Sequence, residues 1–405
     1  MTAVPRVLIF VQHLRGIGHL QRAAAIAREL ANGGIAVDLV SGGMPVSEID
    51  VSGIGVHQLP PVRSPDDSYT RLVDEHGAPA GPALRAARQR RLVDLVQAVR
   101  PHAVIVEMFP FGRSQIAHEI IALIEAARAL SPRSLMISSV RDIVAQKRST
   151  ERYVEMAEQA AAWFDAVLVH GDPAVLPFDE SFPAVDMIRD RVHYTGYVLA
   201  NRPPPRRRRR DRDAGEVLVT AGGGAFGGAL MRAAVAARAH KLLDRDLASR
   251  PWRLITGPNL PAAEARALDR HGGDGVVIEP FCAELPARLA GARLSVSLCG
   301  YNTALEVAAA GVPAVMVPAG SGRQNEQRRR AQAFARMGLA EVLAEDVLDG
   351  ASLAAAMNRA AAAGRGPRVG RALIDMSGGE TSCRLVADWL AKEAASRTPA
   401  LPSSA

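Results

Sequence analysis

Apolar runs of four or five residues alternate with longer stretches of helical spacing along most of the chain. The runs at 7–11, 37–40, 103–106, 134–138 and 166–169 predict buried strands. The stretches at 20–30, 82–99, 112–129 and 150–164 predict the helices between them. Strands alternating with helices of this length predict a parallel sheet covered on both faces. The alternation stops after Gly196. There Asn201 and Arg202 lead into three prolines and then the arginine run 206–210. Prolines keep a segment extended and like charges repel, so 199–215 reads as a linker. The alternation then restarts, with strands at 217–220, 252–255, 276–278, 294–298 and 314–317. Helices are expected at 229–247, 262–270, 285–289, 303–310 and 324–337, then a turn at 375–379 and a last helix at 381–394. The expected organisation is α/β throughout. One domain covers 1–198 and a second 216–378, followed by a C-terminal helix at 379–395 and a disordered tail at 396–405.

Two of the strand-to-helix junctions are rich in glycine. The first strand runs into Arg15-Gly16-Ile17-Gly18-His19, and the strand at 217–220 runs into a segment holding Gly222, Gly223, Gly224, Gly227 and Gly228. Strand, glycine turn and helix together point backbone N–H groups at a ligand. Two such units predict two Rossmann-like domains with parallel sheets facing each other across a cleft. One turn carries a histidine and the other almost nothing but backbone, which suggests chemistry in the first half and anion holding in the second. His19 sits where the helix dipole disfavours an imidazolium, as a general base requires. It reads either as that base or as a cap on the helix. The second turn forms a concave set of donors suited to a diphosphate, although a tight turn would also use one or two glycines.

Further candidates follow later strands. Ser297 to Pro313 reads as a strand end, a turn at Gly300, a helix capped by Asn302 or Thr303, and a carboxylate, Glu306, on its first turn. Glu306 could accept two hydrogen bonds from a ribose diol, or close a capping box with Thr303. Gly322 to Gln327 opens another helix at the end of a strand, where parallel sheets line ligand clefts. Glu107 and Asp142 also follow strands on the edge where His19 lies, and stand as reserve candidates for the base.

Composition narrows the class. The 48% hydrophobic content of 405 residues is enough for two cores. The net charge is +7, and the arginine run supplies five of those charges, so no basic face is expected and no nucleic-acid partner. The run could dock on anionic lipid or serve as a solvated hinge. Cys282, Cys299 and Cys383 have no CxxC spacing and no histidine cluster nearby, and no metal site is expected. The first apolar run is too short for a signal segment, and none approaches a membrane span. A cytoplasmic protein is expected, with peripheral contact at the inner membrane face left open.

These residues resemble the family 28 glycosyltransferases of the GT-B fold. Gly16, Gly18 and His19 match that family's N-terminal GGxxGH-type loop. Gly222, Gly223 and Gly224 match its GGS-type phosphate loop, with Gly224 in place of the serine. The stretch from Glu279-Pro280-Phe281 to Pro313 matches the donor-binding region. The resemblance implies that Phe281 lies against a base, Glu306 on the ribose, and Gly300, Asn302 and Thr303 around the donor. Glu326-Gln327-x-x-Arg330-Ala331 resembles (D/E)QxxNA, with Arg330 in place of asparagine, and implies that Glu326 and Gln327 contact the donor sugar. The segments at 60–82 and 107–111 have no counterpart, so the peptidoglycan lipid acceptor of the best-known members is not implied. The expected activity is transfer of a hexose, such as N-acetylglucosamine, from a UDP-sugar to an acceptor hydroxyl. Inversion is expected, with no metal and no cofactor beyond the donor substrate. A nucleotide-sugar hydrolase or 2-epimerase, and a non-catalytic nucleotide-sugar-binding protein, are the alternatives.

Overall fold

The computed structural model describes residues 4–47, 49–66, 69–144, 149–201, 215–222, 227–257, 260–273, 275–319, 325–364 and 373–397. The arginine run, Gly223, Gly224 and the last eight residues of the tail lie outside these.

The first half contains β1 (Arg6–Val11), α1 (Gly18–Asn32), β2 (Ala36–Ser41), β3 (Gly55–Gln58), α2 (Pro82–Val99) and β4 (Ala103–Glu107). It continues with α3 (Ala117–Arg128), β5 (Leu135–Arg141), α4 (Thr150–Trp163), β6 (Ala166–His170) and β7 (Val192–Tyr194). The second half contains β8 (Val217–Thr220), α5 (Gly228–Arg238), α6 (Arg245–Ser249), β9 (Trp252–Ile255), α7 (Ala262–Asp269) and β10 (Val276–Glu279). Then follow α8 (Leu285–Gly291), β11 (Leu294–Ser297), α9 (Tyr301–Ala310), β12 (Ala314–Met316), α10 (Glu326–Arg336), β13 (Glu341–Val342), α11 (Gly350–Ala363) and α12 (Gly378–Arg397).

The strands form two sheets, ordered β3-β2-β1-β4-β5-β6-β7 and β10-β9-β8-β11-β12-β13. Every pair of neighbouring strands is parallel. Strands buried on both faces need continuous apolar runs, which is why β1, β4 and β8 carry no internal polar alternation. Strand order reverses between β1 and β4 in the first sheet and between β8 and β11 in the second. Ligands of open parallel sheets bind beyond the C-terminal strand ends at such points. Gly16 and Gly18 after β1, and Gly222 after β8, lie there.

The helices mostly follow the expected boundaries, with physical reasons where they do not. The stretch 229–247 is two helices, because the Asp244 carboxylate accepts from the Asp246 N–H and starts a new one. The stretch from 112 opens with a 3-10 turn at Ser114–Ile116 before α3. The helix expected from Thr303 begins at Tyr301, with Gly300 extended at its N-cap and no side-chain cap. Asn302 and Thr303 therefore lie inside the first turn and Glu306 in the second, so neither the expected cap nor the capping box forms. The capping box belongs to α11, between Asp349 and Ser352. The spacing of apolar residues did not predict α11, nor the short strands β3, β7 and β13. The last helix runs from Gly378 to Arg397, past the expected start of the tail.

Although it ends the second half, α12 packs on α1. Val386 and Leu390 are buried in one cluster with Val7, Ile9, Leu20 and Ala24 of the first sheet and its helix. Gly33 is required there, because a Cβ on it would lie 2.6 Å from Cys383 Sγ. A further cluster joins Ile143, Val175, Leu176 and Tyr197 of the first half to Leu305, Met316 and Phe334 of the second. The two sheets are thus joined by apolar packing as well as by the chain. Among the described residues, no helix is long and apolar enough to cross a membrane.

Candidate active site

The turn after β1 is held from below. Arg88 of α2 is fully buried and its Nε donates to both Glu119 oxygens, at 2.9 and 3.1 Å. Its Nη2 donates to Gln12 Oε1 at 2.7 Å, and Gln12 Nε2 donates to the His13 and Val62 carbonyls. Arg88 Nη1 also donates to the Gly42 and Pro60 carbonyls, so four partners fix one guanidinium, and that guanidinium fixes the start of the glycine turn. Gly43 must be glycine for the same packing, since a Cβ there would sit 2.4 Å from the His13 ring.

The turn delivers His19 to the head of α1, with its side chain 18% exposed. Its Nδ1 lies 3.0 Å from Glu107 Oε1, at the C-terminal end of β4. Arg22, one helical turn beyond His19, donates to the same carboxylate oxygen. Glu107 Oε2 accepts from Ser139 Oγ at 2.6 Å, and His170 Nε2 lies 2.9 Å from that hydroxyl. Three strands, β4, β5 and β6, and the start of α1 therefore converge on one buried carboxylate. Burial alone would raise the Glu107 pKa. The Arg22 charge and the hydrogen bonds from His19 and Ser139 outweigh it and hold the carboxyl well below its ordinary range. Burial, reinforced by the Arg113 charge, holds His19 well below its ordinary value despite the Glu107 bond. Burial likewise pushes His170 down to about 3. The site thus presents a neutral imidazole against an ionised carboxylate at physiological pH.

The other reserve candidate is engaged elsewhere. Both oxygens of buried Asp142 accept from Arg330 of α10, at 2.9 and 2.8 Å. Asp142 thus has no oxygen turned to a substrate in this arrangement; it ties β5 of the first half to α10 of the second. Beside it, Arg141 pairs with Glu326. Asn302 Nδ2 donates to Gln21 Oε1 at 2.6 Å, and Gly18 lies against the Asn302 side chain. The N-termini of α1 and α9 therefore meet where the two halves touch, each carrying partial positive charge.

On the second sheet, Gly222 follows β8 with φ +66, a conformation that favours glycine. A Cβ there would lie 3.8 Å from Thr303 Oγ1, so the start of the glycine turn and the first turn of α9 are neighbours. Gly300 supplies the extended residue that aims α9. Glu306 is 7% exposed and accepts from Asn201 Nδ2 at 3.3 Å. Burial pushes its carboxyl up to about 7, against the Asn201 bond. Gln327 Oε1 accepts from the Cys299 and Ala319 N–H groups, which locks the start of α10 to the ends of β11 and β12. Phe281, beyond the end of β10, is 53% exposed. Gly16 has open space where a Cβ would lie.

Residues 218–365 match the model of the glycosyltransferase family 28 C-terminal domain. That match lies wholly in the second half of the chain, from β8 to just past α11. Short stretches are similar to curated proteins named UDP-N-acetylglucosamine--N-acetylmuramyl-(pentapeptide) pyrophosphoryl-undecaprenol N-acetylglucosamine transferase. The protein of Limosilactobacillus fermentum is 36% identical over 81 residues, which is 20% of this chain and 22% of that protein. That of Bacillus licheniformis is 28% identical over 196 residues, 46% of this chain and 51% of that protein. The matches thus span between about a fifth and half of the curated relatives' length. Solved structures match along nearly the whole chain. The calicheamicin glycosyltransferase CalG4 has a TM-score of 0.60 at 19% identity, covering 98% of this chain and 100% of that one. MurG of Acinetobacter baumannii has a TM-score of 0.56 at 17% identity, covering 96% and 99%. At these identities the likeness is one of fold, and the fold is GT-B.

The matched region thus contains α9 and α10, and the first half supplies the residues they meet. Arg22, Ser139, His170 and Tyr301 were not anticipated from the sequence. Three of them left a signal: Arg22 is an arginine on the apolar face of an alanine-rich helix, Ser139 interrupts a buried strand and His170 ends one.

Proposed function

We propose that the protein transfers a sugar from a UDP-sugar to an acceptor hydroxyl in a single inverting displacement without a metal. The observation that carries this reading is the His19–Glu107 pair, set opposite α9 of the family 28 domain. Both Glu107 Oε1, at 3.0 Å, and Arg22 Nη2, at 3.2 Å, lie within reach of His19 Nδ1. An ionised carboxylate only accepts, so in this reading the shorter contact takes the proton on Nδ1, Arg22 serves Glu107, and the Nε2 lone pair is left for the acceptor hydroxyl. As the hydroxyl attacks the anomeric carbon, its proton passes to Nε2 and Glu107 stabilises the imidazolium. The bond to the diphosphate breaks, with its electron pair leaving on the phosphate oxygen. Backbone N–H groups at the turn that begins at Gly222 and at the start of α9 offset that charge.

The deciding experiment is a thermal-shift screen across UDP-, GDP- and dTDP-sugars, followed by nucleotide release with and without an alcohol acceptor. A donor at 100 times its Kd adds about 2.7 kcal/mol. No shift with any nucleotide sugar rejects the reading. Release of free sugar without an acceptor replaces it with a hydrolase or 2-epimerase.

Glu306 is proposed to hold the ribose diol. Glu306→Ala is expected to weaken UDP binding about tenfold, the loss of one charge-assisted contact, with no drop in the unfolding midpoint. Unchanged affinity removes Glu306 from the donor site. The pH dependence supplies a second check. Its folded pKa, about 7, lies above its ordinary 4.5. The folded state therefore binds more protons between these values, and stability falls as pH rises from 4.5 to 7. Glu306→Gln should flatten that slope, while UDP affinity in the native protein should strengthen through pH 7 as the carboxylate forms.

Peripheral contact with an anionic membrane is part of the same proposal, on the strength of the arginine run. Co-sedimentation with phosphatidylglycerol vesicles at low salt, lost at high salt, is expected. Absence from the pellet at low salt rejects it.

A further inference from the structure

A chain of contacts passes between the two halves of the chain twice. The guanidinium carbon of Arg22 lies 5.1 Å from the centre of the Tyr301 ring, and that of Arg330 lies 5.6 Å from it. Arg22 belongs to α1, Tyr301 is the first residue of α9, and Arg330 belongs to α10. Arg330 returns to the first half through its two bonds to Asp142. The Tyr301 hydroxyl donates to the His170 carbonyl and accepts from the Val198 N–H, each at 3.0 Å. All four side chains are buried, and Arg22 Nε has no hydrogen-bond partner. For Arg22, lost hydration is made good by Glu107 and by the negative face of the Tyr301 ring.

We propose that Tyr301 is a positioning residue of the donor domain that makes the His19–Glu107 pair competent only when the two domains are docked. The proposal rests on His19 acting as the base. With the domains apart, Arg22 loses the ring and gains water, and its hold on Glu107 is screened. Water then reaches His19, whose imidazole moves back toward its ordinary value and is protonated in mild acid, where it cannot take a proton. Domain docking, which a donor held between the halves would favour, thus sets the base. The charged and titratable groups acting on His19 are Arg22 on its own helix, Glu107 from β4 and Arg113 from the segment after β4. His170 of β6 stands behind Glu107, and Tyr301 of α9 reaches His19 through Arg22. Removing the ring weakens the desolvation and the Arg22 repulsion together, and both changes raise the His19 pKa. Burial is the largest influence on it, so its loss outweighs any screening of the Glu107 attraction.

The test reads His19 directly, so it does not depend on finding a substrate. In full-length protein with 13C-labelled histidine, the His19 resonance is assigned by its absence in His19→Gln and titrated by NMR. Tyr301→Leu is expected to raise the His19 pKa by at least about one unit, while Tyr301→Phe, which keeps the ring, stays within about 0.3 unit of the native protein. Once an acceptor is known, the acidic limb of the kcat profile should move up by the same amount. An unshifted His19 in folded Tyr301→Leu, or an equal shift in Tyr301→Phe, overturns the proposal. If Tyr301→Leu does not fold, Asp142→Asn loosens Arg330 from the far end and is read the same way, an upward shift supporting the proposal and none overturning it. A dead enzyme with the predicted titration would reject the transferase reading but leave the coupling standing.

Discussion

His19→Ala should lower kcat by about 10²–10⁴-fold, the usual contribution of a positioned general base, while UDP affinity changes less than twofold. The donor contacts proposed here come from the second half of the chain, and His19 comes from the first. Glu107→Gln should cost about as much. The amide keeps the shape of the carboxylate but can donate as well as accept, so it no longer dictates which His19 nitrogen carries the proton, nor offsets the imidazolium charge. The comparison should be made near pH 8, where His19 is neutral in every variant. There Asp142→Asn should cost less than either, because Asp142 faces Arg330 and acts at a distance. Near-normal turnover in His19→Ala with an inactive Asp142→Asn would transfer the base to Asp142. Full activity in all three would place the chemistry elsewhere.

The largest effect on stability should come from Glu119→Ala. The side chains of Arg88 and Glu119 are 0% and 1% exposed, so removing the carboxylate leaves a guanidinium buried with only neutral acceptors. Breaking a buried pair in this way costs about 3–5 kcal/mol, whereas replacing both members with apolar residues is often close to neutral. Arg88→Met with Glu119→Leu should therefore recover most of the loss in stability. It should not recover activity, because Gln12 would lose the donor that holds the turn leading to His19. The measurement is the midpoint of thermal unfolding for Glu119→Ala and for the double variant. The N-terminal domain transition is the one to follow, since a two-domain chain need not unfold in one step. A double variant no more stable than Glu119→Ala would show that the loss arises from packing and not from an unpaired charge.

Several features were legible because they are written locally. Continuous apolar runs marked the buried parallel strands, and the glycines after β1 and β8 marked where α1 and α5 begin. His19 at the first of them followed from its position alone. Local spacing also misled. A single helix was expected at 229–247 because nothing in periodicity reports that Asp244 would rather cap than continue. Asn302 and Thr303 have the chemistry of caps, but Gly300 took the N-cap position because its extended backbone lets α9 start two residues earlier.

Strand order, partners and charge states came from elsewhere. Glu107 and Asp142 looked equivalent in the sequence, each polar after an apolar strand. The sheet order set Glu107 beside β1, within reach of His19 and Arg22, and set Asp142 one strand further out, opposite Arg330. The return of α12 onto α1 and the Arg22–Tyr301 contact join residues hundreds of positions apart, and no local pattern encodes them. Backbone propensity and apolar periodicity act over a few residues, so one sequence suffices to read them. Ionisation acts through burial and through whichever charge lies within a few ångströms, and that neighbour exists only once the chain has folded.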